Sequence, residues 1–244
     1  MKNSTWSGRF KKGLDEEVLE FSESISFDHL LFDSDIRVCI AHAEMLSECK
    51  IISKKESNTL IKGLNAVQKK YDAGKLRLSI KFEDVHMNIE QALTKEIGEL
   101  GKKIHMGRSR NDLVATDFRL YLRDCSDLIL EKLRDIRYAL ALSAHDNSSV
   151  IFPGYTHLQL AQPVTFGHHL LAWHEMLARD EQRMAQTKDR LNVLPLGSAA
   201  LSGTPYKIDR KFVAKKLGFK TVSSNSMDAV SDRDFVCDFA YTCS

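Results

Sequence analysis

The chain has 244 residues, of which 43% are hydrophobic and 28% charged, a balance that is typical of a folded globular protein and excludes a disordered or fibrous one. Its 35 Lys and Arg residues nearly balance 33 Asp and Glu residues, for a formal net charge of +2, so no surplus of charge points to a nucleic-acid partner. Glycine and proline are scarce, at 12 and 4 residues, which favours long helices over strands joined by frequent turns.

The N-terminal part of the chain shows the spacing of several short helices. Apolar residues recur at helical intervals over 36–46, and a capping box at 53–56 begins a second helix. A third helix is predicted over 85–97 and is followed by a polar stretch with two glycines. This stretch separates the two predicted domains, which are a small N-terminal helical domain, residues 1–107, and a domain of long bundled helices, residues 108–244.

Long helices dominate the second predicted domain. Residues 108–152 contain neither glycine nor proline and repeat apolar residues at alternating intervals of about four and three. A helix several times the usual length must be covered by neighbours along its length, which predicts a helical bundle and an oligomer. Residues 168–194 predict another helix, and a third begins near 227. The fold class is therefore predicted to be all-α.

The third of these helices stops at Ser244 in the middle of its apolar pattern. Helices usually end with a glycine, a proline or a basic last turn. We therefore expect the sequence to be a fragment of a longer protein, with an incomplete bundle.

The sequence contains no pattern typical of secretion, a membrane span, a cysteine metal site or a nucleotide-binding loop. The sequence has no signal-peptide pattern and nothing near the ~20 apolar residues of a membrane span, so we expect no membrane partner. Its five cysteines lack metal-ligand spacing, which predicts reduced thiols in a cytoplasmic protein. No glycine-rich nucleotide loop occurs. We expect neither a cofactor nor a bound metal.

The segment Gly107–Asp112, GRSRND, opens the longest predicted helix. Asn111 or Asp112 can cap that helix, but capping does not explain Arg108 and Arg110, because cations oppose the positive end of a helix dipole. Two arginines beside unpaired helix N–H groups would suit a bound carboxylate or phosphate. The residues alone leave open an anion site, a salt-bridged loop and a subunit contact.

A second polar segment separates two long predicted helices at 153–159. It places Thr156, His157 and Gln159 at a turn, and a histidine has a pKa near 6.5, suited to moving protons at neutral pH. A structural role for this loop histidine stays open. Two further polar segments, 22–28 and 83–86, could be either functional residues or simple helix caps.

Taken in this order, seven segments resemble the argininosuccinate lyase family of the fumarase/aspartase superfamily, which has delta-crystallin as a lens relative. The matching segments are WSGRF at 6–10, SISFD at 24–28, EDVH at 83–86, GRSRND at 107–112, GYTHLQ at 154–159, PLGSAALSGTPYKIDR at 195–210 and SDRD at 231–234. The resemblance implies an all-α fold with a small N-terminal domain, a central bundle of very long helices and a small C-terminal domain. It also implies a homotetramer in which three subunits build each active site.

The resemblance further implies reversible anti-elimination of argininosuccinate to arginine and fumarate, a step of arginine biosynthesis. The residues implied to bind the carboxylates are Ser24, Ser109, Arg110, Asn111 and Thr156. Asp28 and Asp84 would face the cationic half of the substrate. His157 would transfer the proton, with Gln159 and His86 as supporting groups.

The chain departs from the family in three places. Met106 stands where threonine is usual, and Leu160 where arginine is common. The family's mobile loop, GSSxMPxKxN, would follow Ser244, so we expect the isolated chain to be inactive. Two alternatives stay open, a catalytically silent crystallin-like structural protein and a superfamily lyase for another succinyl-amine.

Overall fold

A computed structural model describes residues 15–244, so the WSGRF segment at 6–10 lies outside the described residues. Contacts divide the chain into two compact units. Among the described residues, the first contains 15–118 together with 194–231, and the second contains 119–193 and 232–244. The predicted boundary after residue 107 concerns domains that are continuous along the sequence, and it stays a prediction.

Helices make up most of both units, and the all-α prediction of the fold class is confirmed. In chain order the elements are α1 Glu16–Ser22, α2 Ile25–Asp28, α3 Phe32–Glu48, α4 Lys54–Asp72, α5 Val85–Ile97, α6 Arg110–Asp146, β1 Ile151–Thr156, β2 Gln159–Thr165, α7 Phe166–Leu191, β3 Val193–Leu194, α8 Arg210–Leu217, β4 Thr221–Val222, α9 Ser226–Ser231 and α10 Asp234–Cys243. Short 3₁₀ segments occupy His29–Leu31, Ile80–Phe82 and Gly98–His105.

The core of the first unit lies between α3, α4 and α5, which pack against one another. Its largest side chains, each less than 2% exposed, include Phe32, Leu46, Leu60, Leu64 and Leu93. Burial of such side chains contributes about 1.5–3 kcal/mol each. The apolar spacing of the sequence is therefore confirmed as the inner face of these helices.

Local signals at two helix ends are also confirmed. Ser53 accepts a hydrogen bond from the backbone N–H of Glu56, whose carboxylate accepts from the backbone N–H of Ser53 at 2.8 Å, so the predicted capping box is present. Helix α5 ends at Gly98, whose φ of 72° suits a residue without a Cβ.

The long helix α6 contributes residues 110–118 to the first unit and 119–146 to the second. It ends before the predicted end at 152 because the chain turns at 147–150 into the antiparallel hairpin β1–β2. In the second unit, Arg119 pairs with Asp232 and lies 4.1 Å from the centre of the Phe235 ring. These contacts attach α10 to α6.

Helix α7 forms close to its predicted range, whereas the predicted last helix is interrupted between α9 and α10. None of the described helices is both long enough and apolar enough to cross a membrane.

Candidate functional site

The GRSRND segment forms a capped start for α6. The hydroxyl of Ser109 accepts from the backbone N–H of Asn111 at 3.4 Å, and the carboxylate of Asp112 accepts from the backbone N–H of Ser109 at 2.9 Å. Ser109 and Asp112 therefore cap the helix. The amide of Asn111 instead donates to the carbonyl of Ala200 at 2.9 Å, which ties this residue to the loop at 195–203.

Asp112 fixes the same loop from the inside. Its side chain is fully buried, and its second carboxylate oxygen accepts from the backbone N–H groups of Gly197 at 2.9 Å and Ala199 at 2.7 Å. Burial raises the pKa of Asp112, although these hydrogen bonds act in the opposite direction. One carboxylate thus holds two loops, 107–109 and 195–203, against the end of α6.

The two arginines of the segment have different surroundings. Arg110 forms an ion pair with Asp84 at 2.8 Å and lies 3.5 Å from Glu83. The salt-bridged loop that the sequence left open is therefore present in the described structure. Arg108 is buried and donates to the sulfur of Cys39 at 3.1 Å, so its guanidinium points into the first unit.

The SISFD and EDVH segments meet at the start of α5. Ser24 donates through its hydroxyl to Asp28 at 2.6 Å, and the Asp28 carboxylate accepts from the backbone N–H of Val85 at 3.1 Å. Asp84 caps α5 by accepting from the backbone N–H of Met87 at 2.8 Å. Half-burial raises the pKa of Asp28. Three segments that are distant in sequence are therefore joined at one place, because Arg110 binds Asp84.

His86 is buried rather than open to a ligand. Its Nδ1 is hydrogen-bonded to the carboxylate of Asp35 and lies 3.4 Å from the carboxylate of Asp117. Because an ionised carboxylate can only accept, Nδ1 carries the proton. Asp35 and Asp117 did not figure among the predicted site residues.

His42 supports the same region and was also missed. It is buried, and its Nε2 donates to the carbonyl of Met106 at 2.8 Å, directly before the GRSRND segment. Burial lowers the pKa of His42 to about 3, and the nearby charge of Arg108 acts in the same direction. The side chain is therefore neutral at physiological pH.

The remaining predicted residues, Thr156, His157 and Gln159, lie in the β1–β2 hairpin of the second unit and are exposed. His157 and Leu158 form its two-residue loop with φ of 49° and 61°. Such loops usually contain Asn or Gly, because other side chains are strained in left-handed backbone. A histidine held in this conformation at a hairpin tip is a candidate for a functional residue.

The predicted site residues thus fall into two groups. Those in the first unit are Ser24, Asp28, Asp84, His86, Ser109, Arg110 and Asn111. Hydrogen bonds and ion pairs link most of these residues to one another or to shared loops. The remaining predicted residues, Thr156, His157 and Gln159, occupy the hairpin of the second unit.

Known proteins resemble this chain along nearly its whole length. The argininosuccinate lyase of Nitrosococcus oceani is 53% identical over 234 residues, which cover 96% of this chain and 50% of that protein. The argininosuccinate lyase of Pseudomonas syringae pv. tomato is 52% identical, with 97% of this chain and 51% of that protein covered. This chain therefore spans about half the length of these curated relatives.

Solved structures resemble it as well. A variant of EDDS lyase with bound fumarate is 32% identical with a TM-score of 0.80, covering 92% of this chain and 44% of that one. The sequence also matches the family described as Lyase over residues 8–244. Because this match covers nearly the whole chain, the chain belongs to the Lyase family.

Proposed function

We propose that the protein containing this chain is an argininosuccinate lyase, which reversibly cleaves argininosuccinate to arginine and fumarate. The observation that carries this proposal is the 53% identity to an argininosuccinate lyase across 96% of the chain. The chemistry of the first-unit residues supports it. Asp84, the N-cap of α5, pairs with Arg110 between Ser109 and Asn111, and Asp28 of α2 accepts from the next residue, Val85. The substrate likewise carries a guanidinium at one end and carboxylates at the other.

The ion pair between Arg110 and Asp84 suggests how such a substrate enters. A ligand with both charges can replace this pair without leaving either side chain unpaired. Arg110 would then donate to a substrate carboxylate, while Asp84 and Asp28 would accept from the substrate guanidinium. Ser24, Ser109, Asn111 and Thr156 would supply further neutral donors to the carboxylates.

These donors matter most during the reaction. Removal of a proton from the carbon next to a carboxylate places a second negative charge on that group before the C–N bond breaks. Donors fixed in advance stabilise this charge without reorganising. In our proposal His157 transfers the proton, Thr156 and Gln159 orient the reacting groups beside it, and His86 supports the site from behind.

The proposal includes the assembly and the location of the protein. Apolar side chains of α6 stay exposed in a single chain, among them Leu128 at 57%, Ile136 at 50% and Leu142 at 51%. A second helix of similar length would bury them. This supports a homotetramer in which hairpin residues of one subunit complete the site of another. We also propose a cytoplasmic location.

The test is fumarate release from argininosuccinate, followed by ultraviolet absorbance. It is measured on this chain and on one extended beyond residue 244 with the C-terminal half of the Nitrosococcus oceani protein. We expect release from the extended chain, and His157→Asn should lower its turnover by ~100-fold, as is usual for a proton-transfer residue. His145→Asn, a change at another exposed histidine of the second unit, is the matched control.

An extended chain that folds and releases no fumarate from argininosuccinate would refute the assignment as an argininosuccinate lyase. The likeness to EDDS lyase favours a second candidate, a lyase for another succinyl-amine. Fumarate release from other N-succinyl amines, but not from argininosuccinate, would select this alternative.

A further inference from the structure

A buried cluster behind the candidate site joins three helices. Asp35 lies near the start of α3, His86 in the first turn of α5 and Asp117 near the start of α6. Their exposed fractions are 1%, 7% and 0%. We propose that Asp35, His86 and Asp117 form a positioning unit that holds the first turn of α5, and with it Asp84 and the backbone N–H of Val85, in place for the candidate site.

The hydrogen bonds give Asp35 the role of the fixed anion. Its carboxylate accepts from Nδ1 of His86 and from the thiol of Cys39 at 3.0 Å. Burial raises the pKa of Asp35, but the hydrogen bond and charge of His86 and the charge of Arg108 outweigh it, so the pKa is lowered on balance. Asp35 therefore stays ionised and fixes the orientation of the imidazole.

Asp117 has the opposite environment. Neither of its carboxylate oxygens accepts a hydrogen bond from the described part of the chain, and a buried carboxylate without donors is costly. Burial, the charge of Asp35 and a hydrogen bond between these two side chains raise the pKa of Asp117 well above its usual range. Asp117 is therefore the neutral acid of the pair, and Arg108 balances the one remaining carboxylate.

Other titratable groups face this cluster from each packed element. Cys39 of α3 contacts Asp35, Asp28 of α2 interacts with the charge of His86, and Asp112 of α6 interacts with that of Asp117. His42 of α3 interacts with the charge of Arg108. Burial raises the pKa values of Cys39 and Asp112 and lowers that of His42. Each of these groups is buried as a neutral side chain or, like the half-buried Asp28, is hydrogen-bonded inside the first unit.

The same three residues also have the composition of a metal site, since their ligand atoms all lie within 4.8 Å of one another. Two features favour a proton over a metal ion. The oxygen of Asp35 and the Nδ1 of His86, which would bind the ion, are already bonded to each other. The guanidinium of Arg108 lies close enough to act on the charges of Asp35 and Asp117, and it would repel a divalent cation.

The link to the candidate site runs through the residues next to His86. Asp84 caps α5 and binds Arg110, and the backbone N–H of Val85 donates to Asp28. A ring held by Asp35 therefore fixes the carboxylate that orients Arg110. The catalytic use of this arrangement rests on the proposed function, but the positioning itself can be measured without substrate.

The test is amide hydrogen exchange on this chain, followed by NMR at the backbone N–H groups of Val85 and Met87. Asp35→Asn removes the anion that holds His86, and we expect exchange at both amides to rise about tenfold or more, with less than about threefold change in α4. Asp117→Asn replaces a neutral acid by a neutral amide that can still donate to Asp35, so exchange at both amides should stay within about threefold. Asp117→Leu removes this donor and should raise exchange at both amides by more than about threefold. Asp33→Asn, at an exposed acid of α3, is the matched control.

Equal acceleration throughout the first unit in Asp35→Asn would indicate a merely structural role and overturn the proposal, as would no acceleration. A second measurement needs no variant. Nitrogen chemical shifts of the His86 ring should show Nδ1 as the protonated nitrogen, and an unprotonated Nδ1 would overturn the proposal even if Asp35→Asn failed to fold. Both measurements are independent of fumarate release. Failure of the positioning proposal can therefore be distinguished from failure of the proposed function.

Discussion

The two groups of candidate residues differ in how their positions are fixed. In the first unit, Asp112 is buried and accepts hydrogen bonds from three backbone N–H groups, and Arg110 is paired with Asp84. In the second unit, His157 is exposed at the tip of a two-residue loop. Substitutions in the first group should therefore act on stability as well as activity, whereas substitutions at the hairpin tip should act on activity with little loss of stability.

The largest effect is expected for Asp112→Ala. The change leaves three backbone N–H groups, of Ser109, Gly197 and Ala199, without their acceptor, and an unsatisfied buried donor costs about 1–3 kcal/mol. We expect the free energy of unfolding to fall by about 3 kcal/mol or more in urea titrations followed by circular dichroism. The exposed Asp33 provides the control, and Asp33→Ala should cost less than about 0.5 kcal/mol. A loss below about 1 kcal/mol for Asp112→Ala would contradict the assigned role of this carboxylate.

The loop that Asp112 holds should be nearly as sensitive at Gly197. This residue has φ of 94°, and an added Cβ would lie 2.7 Å from Cγ of Arg210. Gly197→Ala combines backbone strain with a clash and should cost about 2 kcal/mol. Gly74 has φ of 66° with nothing within 4 Å of an added Cβ, so Gly74→Ala measures the strain alone. Equal losses in the two variants would show that the packing against Arg210 is not tight.

His42 sharpens the comparison through pH. Its pKa is lowered to about 3 in the folded chain against about 6.5 when unfolded, so below pH 6.5 the unfolded state binds a proton that the folded state does not. Stability from this group is present above pH 6.5 and is lost toward pH 3, by about 1.4 kcal/mol per pH unit.

The raised pKa of Asp117 acts with the opposite sign, because stability from that acid is lost as pH rises. The contribution of His42 is therefore measured as the difference in free energy of unfolding between the unaltered chain and His42→Gln across the pH range. The glutamine keeps a donor for the carbonyl of Met106. The unaltered chain should lose more stability than the variant between pH 6.5 and 4.5. Parallel curves would show that His42 is not buried as a neutral group.

The fold was largely predictable because helical periodicity is a local signal. The inner faces of α3, α4 and α5 and the capping box at Ser53 follow from spacing alone. The β1–β2 hairpin was not predicted as strands. Pro153 and Gly154 indicated a break, but the loop of His157 and Leu158 lacks the Asn-Gly signal of a two-residue turn.

The candidate site was predictable only in part. Ser24, Asp84 and Arg110 stood in recognisable segments, but their pairing depends on tertiary contacts. Asp117 had a usable signal, since it lies four residues after Leu113 and three before Leu120 on a buried helix face. A charge among such neighbours indicates a buried network. Its partners could not be inferred, because Asp35 and His86 are 51 residues apart in sequence.

The smallest predicted effect tests the hairpin itself. Leu158 is 94% exposed with φ of 61°, so its side chain strains the backbone and gains nothing from burial. Leu158→Gly should remove this strain, worth about 1–2 kcal/mol, against an entropic cost of about 0.5–1 kcal/mol. The net gain, about 0.5 kcal/mol, should slow exchange of the cross-strand amides about twofold.

Leu160 is the matched control, because it is 71% exposed within β2. Leu160→Gly adds flexibility without relieving strain and should speed the same exchange. If Leu158→Gly also leaves fumarate release by the extended chain unchanged while His157→Asn lowers it, the hairpin acts through the imidazole and not through the rigidity of its loop. Slower turnover in Leu158→Gly would instead show that the strained backbone itself positions His157, and the contrast between a rigid first group and a freely substituted hairpin would fail.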